Sequence, residues 1–314
     1  MRCALAVVLA VLAPGLLGCD IGKITVGTTA KILVRAQPSL QQESDYQLAH
    51  DAIPGALKTI EGFWIVDPDN EDLMGILTEG YCQYGAGFVE DDWEVAKFAK
   101  KLDDIEYHNA RATRIFTRCL NYALKQLGDR WQTELFGAPD AVAKLAKDTG
   151  SDKRDQMMWT ALALGSIVNH NLGRAETLAY VSTVRVILDR VLELDSAKLP
   201  ERKELAALPH IAYGMIYSVG GVQVGGNPGK AKASFETALK LTADKDHPDG
   251  KLLLGRVLMG YRVGFVTNDR KFFHAQLKQV LETPPSVWPE QRLANEVAHR
   301  KARRYLSHEK ELFQ

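Results

Sequence analysis

A nine-residue helical pattern occurs four times in this chain and restricts its fold more than any other feature. In each copy, apolar residues are spaced four, three and one apart, which places all four on one side of a helix. The clearest copy alternates small and large residues at Ala231, Phe235, Ala238 and Leu239. The same spacing recurs in residues 112–120, 184–192 and 273–281. Because a helix with one apolar side cannot bury that side alone, neighbouring helices must pack against one another.

We therefore predict an all-α protein of stacked helical hairpins, a degenerate tetratricopeptide-like α-solenoid. The copies begin 72, 47 and 42 residues apart, whereas a regular tetratricopeptide array repeats about every 34 residues, so the array contains insertions. No stretch shows a convincing strand pattern. The predicted elements are N-terminal helices within 24–66, hairpins at about 70–127, 153–195, 205–242 and 250–283, and a capping helix at 289–313. Ser44 is the predicted N-cap of the second N-terminal helix.

The first 18 residues form a predicted signal peptide, in which Arg2 precedes an apolar stretch. This stretch ends in Leu16-Leu17-Gly18-Cys19, which resembles the lipobox of bacterial lipoproteins. The resemblance implies cleavage before Cys19 and acylation of its sulfur and amino group with chains such as palmitate. The alternative is an ordinary signal peptide in which Cys19 is incidental. Residues 19–314 are predicted to form a single helical-repeat domain, and Asp20 resembles a signal for retention in the inner membrane.

Two cysteines, Cys82 and Cys119, remain in the mature chain besides Cys19. They fall on the two predicted helices of the first hairpin, in a protein that is predicted to enter an oxidising compartment. A disulfide between them is therefore possible. Two buried thiols that act as small apolar residues are an equally compatible interpretation.

Charge and motif composition exclude several functional classes. Lys and Arg together number 39, as do Asp and Glu, so no overall field attracts nucleic acid and we predict no such partner. The acidic run 67–72 lacks the glycine and glutamate of a calcium loop and is better interpreted as a helix cap. A second polar cluster consists of Asp244, Asp246, His247 and Asp249. We interpret it as an ordinary polar loop between helices, because such loops are common without bound ions. We predict no metal, no cofactor and no enzymatic activity, because the titratable residues form no catalytic or ligand spacing.

Several segments of the chain resemble the T component of tripartite ATP-independent periplasmic (TRAP) transporters. The resemblance is carried by residues 208–215, 225–231, 235–239 and 268–272, and by Leu277, Val280 and Leu281. Residues 80–90 also match, as do Asn295, Ala298, Arg300, Lys301, Ala302 and the ending Glu311-Leu312-Phe313. Most of the mature chain is covered. These positions are mainly turn and core residues, so they say more about the fold than about chemistry.

The resemblance implies a periplasmic lipoprotein that assembles as a homotrimer, with a channel or cleft through each protomer. It also implies association with the periplasmic solute-binding subunit of a TRAP transporter and a small hydrophobic or amphipathic ligand. The expected location is the periplasm, with contact to a bacterial membrane through the N-terminal lipid only. We interpret the protein as an accessory subunit of solute uptake that docks the solute-binding subunit and holds or relays such a ligand.

The predicted ligand-lining residues lie on the leading helices of two hairpins. They are Tyr81, Tyr84 and Phe88 in the first hairpin, and Ile211, Met215 and Ser218 in the third. The competing interpretation is ordinary packing between helices, since apolar residues at helical spacing usually form core. The alternative function is a lipid-anchored helical-repeat scaffold for protein–protein assembly in the envelope.

Overall fold

A computed structural model of the chain describes residues 20–219 and 226–313. All regular secondary structure in these residues is helical, which confirms the predicted all-α class. The predicted signal peptide, Cys19 and residues 220–225 of the glycine-rich loop lie outside the described residues.

The described residues begin with three helices, α1 (Ile21–Ala36), α2 (Pro38–Gln41) and α3 (Tyr46–Val66). The carboxylate of Asp45 caps α3 by accepting hydrogen bonds from the backbone N–H groups of Gln47 and Leu48, at 2.9 and 3.0 Å. The prediction that Ser44 is the N-cap is therefore wrong by one residue. Both N–H groups donate to the same oxygen, Oδ1, which accepts them through its separate lone pairs.

The first hairpin consists of α4 (Glu71–Tyr84), a π-helical turn (Gly85–Val89), α5 (Glu90–Phe98) and α6 (Leu102–Leu127). The Asn70 side chain caps α4 by accepting from the backbone N–H of Leu73 at 3.1 Å. Helices α4 and α6 pack together, and Cys82 and Cys119 form a disulfide across them. From the sequence alone, this disulfide and a pair of buried free thiols were equally compatible interpretations.

The remaining helices continue the pairing along the chain. They are α7 (Asp129–Glu134), α8 (Pro139–Asp148), α9 (Arg154–Asn169), α10 (Ala175–Leu178), α11 (Tyr180–Ala197), α12 (Lys203–Tyr217), α13 (Pro228–Leu241), α14 (Leu253–Val266), α15 (Arg270–Glu282), α16 (Arg292–Ser307) and α17 (Glu309–Leu312). Short 3₁₀ turns occur at Ser151–Lys153, Pro285–Val287 and Pro289–Gln291. Helix α9 pairs with α11, α12 with α13, and α14 with α15, while α6 packs against α9.

The four copies of the nine-residue pattern all face the interior. Their first three positions are buried in every copy, and the fourth is buried or partly buried. In three hairpins a phenylalanine of the pattern packs directly on a glycine of the partner helix, so closely that a Cβ on that glycine would lie 2.7 or 2.8 Å from the phenylalanine. The pairs are Gly85 with Phe116, Gly214 with Phe235 and Gly264 with Phe273. The absence of a side chain on the glycine is what allows the two helices to approach.

Helix α16 packs against the last hairpin, formed by α14 and α15. Its Ala298, Ala302 and Tyr305 form one buried cluster with Val257 of α14 and Phe273 of α15. In the part of the chain that the structure describes, none of the helices combines the length and apolar character that crossing a membrane requires.

Candidate functional site

The six predicted lining residues belong to different packing clusters. Tyr81, Tyr84 and Phe88 are buried in the large cluster formed by the N-terminal helices. Ile211 and Met215 pack on a second cluster around Phe235. Ser218 is buried just after α12, and its hydroxyl donates to the carbonyl of Met215 at 2.8 Å. The structure therefore places these residues in two separate groups.

Tyr81 lies beside a group of polar side chains that joins α3 to α6. Its ring stacks on Tyr122 with 6.2 Å between centroids, and Tyr122 donates from its hydroxyl to Glu61 at 3.1 Å. Arg118 donates to the same carboxylate oxygen at 2.6 Å. The Tyr81 hydroxyl lies near Glu61 but makes no hydrogen bond of acceptable geometry. Burial, and then the Glu61 carboxylate, raises the pKa of Tyr81.

Tyr84 and Phe88 lie next to each other just before the start of α5. Their rings lie 5.6 Å apart, and the Tyr84 hydroxyl accepts from Arg111 at 2.6 Å. Phe88 also contacts Tyr46 of α3, at 5.0 Å between ring centroids. Tyr46 in turn donates from its hydroxyl to the Asp91 carboxylate at 3.2 Å. Two of the predicted residues are thus connected through Tyr46 to a group of charged side chains.

This charged group joins α5 to α16. Asp91 accepts from Arg300 Nε at 2.6 Å and from Arg304 Nη2 at 2.5 Å. Glu94 accepts from Lys301 at 2.9 Å and from Arg304 at 2.5 Å. Burial acts to raise the pKa of both carboxyl groups, but Lys301 and Arg304 outweigh it, and both pKa values lie below their ordinary range.

Two further cations lie beside this network and have no carboxylate within ion-pair distance in residues 20–219 and 226–313. They are Lys97 of α5 and Arg262 of α14. Partial loss of hydration lowers the pKa of Lys97, although the residue is exposed, and the positive charge of Arg262 lowers it further. We use the name cationic cleft for the charged side chains that α5, α14 and α16 bring together. Its charged residues are Asp91, Glu94, Lys97, Arg262, Arg300, Lys301 and Arg304.

Three buried nitrogen atoms around the cationic cleft have no hydrogen-bond acceptor among the described residues. They are Nε of Arg262, Nε of Arg304 and Nε1 of Trp93. A buried N–H group without a partner is destabilising, and proteins rarely retain one without a reason. The side chains therefore offer unused donors where positive charge already exceeds negative charge.

Aromatic rings pack against the cations of the cationic cleft. Lys97 Nζ lies 4.3 Å above the ring of Trp93, and Tyr261 stacks on Tyr305 at 4.2 Å. Next to Lys97, a surface cavity of about 310 Å³ is lined by Lys97, Phe98, Lys100, Glu311 and Leu312. Cations beside aromatic rings suit a small molecule with an acidic group and an apolar part. Glu311 places one opposing negative charge at the rim of this cavity.

Sequence reasoning missed Trp93, Lys97, Arg262 and Arg304. The available signal was local: Arg300 and Arg304 are one turn apart on α16, and Lys301 flanks the buried apolar side of the same helix. Their partners on α5 lie more than 200 residues earlier in the chain, where no spacing rule can find them.

A second cavity contains part of the predicted polar cluster. It has a volume of about 160 Å³, and Asp246, His247, Asp249 and Arg256 are among its lining residues. Arg256 donates to the side-chain oxygens of Gln276 and Gln279 at 2.9 Å and to the Asp249 carbonyl at 2.5 Å. Asp244 pairs with Lys251 at 2.9 Å. Among the described residues, no three His, Cys, Asp or Glu side chains are placed to share a metal ion.

Comparison with known proteins identifies the family. No curated protein matches the chain. A family model described as TRAP transporter T-component matches residues 42–313, which include every helix from α3 onward. This match confirms the resemblance that the sequence motifs indicated. The chain belongs to the TRAP transporter T-component family.

Proposed function

We propose that this protein is a periplasmic, lipid-anchored accessory subunit of a TRAP-type solute uptake system. In this proposal it docks the periplasmic solute-binding subunit, assembles as a homotrimer, and holds or relays a small amphipathic ligand that carries an acidic group. Family membership supports a role in TRAP transport. The lipobox-like ending at Cys19 supports the anchor. The excess of cations in the cationic cleft is the observation that supports the ligand.

The charges of the cationic cleft favour an anion over a neutral ligand. Three of the five cations, Arg300, Lys301 and Arg304, pair with the carboxylates Asp91 and Glu94, so each carboxylate already has its partners. Arg262 is partly buried and Lys97 lies at the surface, and neither cation has a counter-ion among the described residues. Burying a cation costs free energy unless an anion accompanies it. A carboxylate or similar group would satisfy these cations and the unused N–H donors together.

Some of the predicted lining residues are placed to contact the apolar part of the proposed ligand. Tyr84 and Phe88 reach the Asp91 end of the network through Tyr46, and they would contact the apolar part of a ligand that is relayed along this side. Tyr81 and the group Ile211, Met215 and Ser218 lie in other packing environments, and their contact with a ligand stays a prediction.

Titration with octanoate tests the ligand proposal. Octanoate has one carboxylate and a short apolar chain, while octanol has the same chain without the charge. We expect isothermal calorimetry to detect octanoate binding and a weaker response to octanol. Removing one cation with Lys97→Met or Arg262→Met removes a charged interaction of about 1.5–3 kcal/mol, which weakens binding about 10- to 100-fold.

The matched control is Arg303→Gln, which removes an exposed cation from α16 itself. It should leave octanoate binding unchanged, because Arg303 makes no ion pair with the residues of the cationic cleft. Equal weakening by Arg303→Gln and Arg262→Met would show a general charge effect and contradict a site in the cleft.

Docking and assembly require a separate measurement on the mature lipoprotein. Native mass spectrometry should give three copies per particle and a mass increase at Cys19 from the acyl chains. Binding to the purified solute-binding subunit of the same TRAP system should be measurable by biolayer interferometry. Absence of that binding, together with co-purification of envelope assembly proteins, would instead support the alternative scaffold function.

A further inference from the structure

Helix α1 presents an unusual outer side that the proposed function does not use. Its Val26 and Ala30 are buried against the rest of the protein, as expected for an amphipathic helix. On the opposite side, Ile21, Ile24 and Ile32 are 77%, 59% and 61% exposed. The spacing of three and eight residues places these isoleucines along one line of the helix surface. Large β-branched apolar residues thus face away from the protein.

The end of α3 extends this exposed surface. Ile65 and Val66 are 70% and 45% exposed. They lie beside the first turn of α1, because a Cβ on Gly22 would be 3.6 Å from Val66 Cγ1. Lys23 also reaches Asp67 at 4.0 Å. We call the five exposed side chains the N-terminal apolar patch: Ile21, Ile24, Ile32, Ile65 and Val66.

The polar residues on the same side of α1 are compatible with an apolar surrounding. The hydroxyls of Thr25 and Thr28 donate to the carbonyls of Ile21 and Ile24, at 2.8 and 3.1 Å. A hydroxyl that is already hydrogen-bonded costs less to remove from water. Helix α1 contains Lys and Arg but no Asp or Glu. The long aliphatic parts of Lys31 and Arg35 can stay in contact with lipid while their charges reach the headgroups.

The proposed acylation site indicates what covers this patch. Cys19 precedes Ile21 by two residues in the sequence. Two residues of extended chain span about 7 Å at most. Acyl chains on Cys19 would therefore enter the bilayer next to Ile21. A protein surface held so close to the headgroups contacts them in preference to a distant partner.

We propose that the N-terminal apolar patch lies in the lipid–water interface, so that α1 is an interfacial helix that orients the protein on its membrane. This inference rests on the proposed acylation of Cys19. Such helices place their apolar side about 5–10 Å into the boundary between headgroups and acyl chains. The acidic run 67–72 lies next to Ile65 and Val66 and opposes attraction to anionic lipid. Apolar contact therefore dominates, and the interaction depends little on salt.

Vesicle binding by the non-acylated protein measures the contribution of the N-terminal apolar patch without that of the acyl chains. Mature Cys19→Ser protein is mixed with vesicles of phosphatidylethanolamine and phosphatidylglycerol and sedimented. We expect weak but measurable binding that changes little with ionic strength. Adding Ile21→Ser, Ile24→Ser and Ile65→Ser removes three inserted side chains and weakens the partition at least about tenfold.

The matched control replaces three other exposed leucines, through Leu102→Ser, Leu172→Ser and Leu199→Ser. This variant should bind vesicles as Cys19→Ser alone does. Equal loss in both triple variants, or no vesicle binding by the Cys19→Ser protein, would overturn the interfacial patch. A triple isoleucine variant that changes the number of subunits would also overturn it, because the patch would then be an interface between copies.

The anchor is tested by a different result. In cells, acylated protein should sediment with membranes and Cys19→Ser should be released to the periplasm. Membrane retention of the Cys19→Ser protein only when the three isoleucines are present would support the patch while contradicting the anchor. Acylated protein that resides in membranes but shows no slowing of amide hydrogen exchange in residues 21–35 on vesicles would leave the anchor and overturn the patch.

Discussion

Asp91 is the residue on which three helices converge. It lies on α5, accepts a hydrogen bond from Tyr46 of α3, and pairs with Arg300 and Arg304 of α16. Its side chain is fully buried. A buried carboxylate is tolerated only when its partners compensate for lost hydration. Here the compensation exceeds the cost, because the pKa of Asp91 lies below its ordinary value despite burial.

This depressed pKa predicts how Asp91 contributes to stability as the pH changes. An unfolded aspartate titrates at about pH 3.9. Since the folded pKa is lower, the contribution is complete above that value and is lost as the pH falls through the folded pKa. We expect Asp91→Asn to lower the free energy of unfolding at pH 7 by about 3–5 kcal/mol, because Arg300 loses its carboxylate partner and the buried Lys301 and Arg304 keep only Glu94. Urea denaturation should show the difference narrowing below about pH 4.

The control for this prediction is Asp69→Asn, which neutralises an exposed aspartate. Exposed substitutions of this kind usually change the free energy of unfolding by less than about 0.5 kcal/mol. A difference between wild type and Asp91→Asn that stayed constant from neutral to acid pH would contradict the proposed origin of the effect.

At the scale of single elements, the sequence predicted helix pairs because their signal is local. The spacing of Phe235, Ala238 and Leu239 indicates the buried side of α13 without knowledge of its partner. The same logic could not predict the cationic cleft, since Lys97 and Arg262 look like ordinary solvated cations in their own helices. It also misplaced the α3 cap, because Ser44 and Asp45 are both good capping residues and only backbone geometry decides between them.

The contact between glycine and phenylalanine predicts a specific mutational effect within one hairpin. A Cβ on Gly214 of α12 would lie 2.7 Å from three atoms of the Phe235 ring. We expect Gly214→Ala to force the two helices apart and lower the free energy of unfolding by about 1–3 kcal/mol. Gly62→Ala is the control, because nothing lies within 4 Å of a Cβ there and Gly62 is exposed within α3.

That control should behave in the opposite way. Alanine restricts the unfolded chain and favours helix, so Gly62→Ala should raise the free energy of unfolding by about 0.5–1 kcal/mol. Both values follow from thermal or urea denaturation monitored by circular dichroism. Stabilisation by both substitutions would mean that α12 and α13 do not approach as closely as the structure describes.

At the scale of the whole molecule, α16 connects the first hairpin with the last. One side of this helix packs on α14 and α15, and the other side binds the carboxylates of α5. The residues that meet there are far apart in sequence: Glu94 and Arg304 are separated by 210 positions. Stacked hairpins otherwise interact mainly with their sequence neighbours. This link therefore predicts that the first and last hairpins unfold together.

A double-mutant cycle between Glu94 and Arg304 measures this link. Each single change to glutamine removes one of the two charges that face each other in the buried network, whereas the double change removes both, so the effects should not add. We expect a coupling energy of about 1–3 kcal/mol and one unfolding transition in wild type. The control pair Arg130 and Glu134 is 57% and 40% exposed on α7, where coupling is about 0.3–0.5 kcal/mol. If the two pairs gave equal coupling, α16 would not join the ends of the molecule.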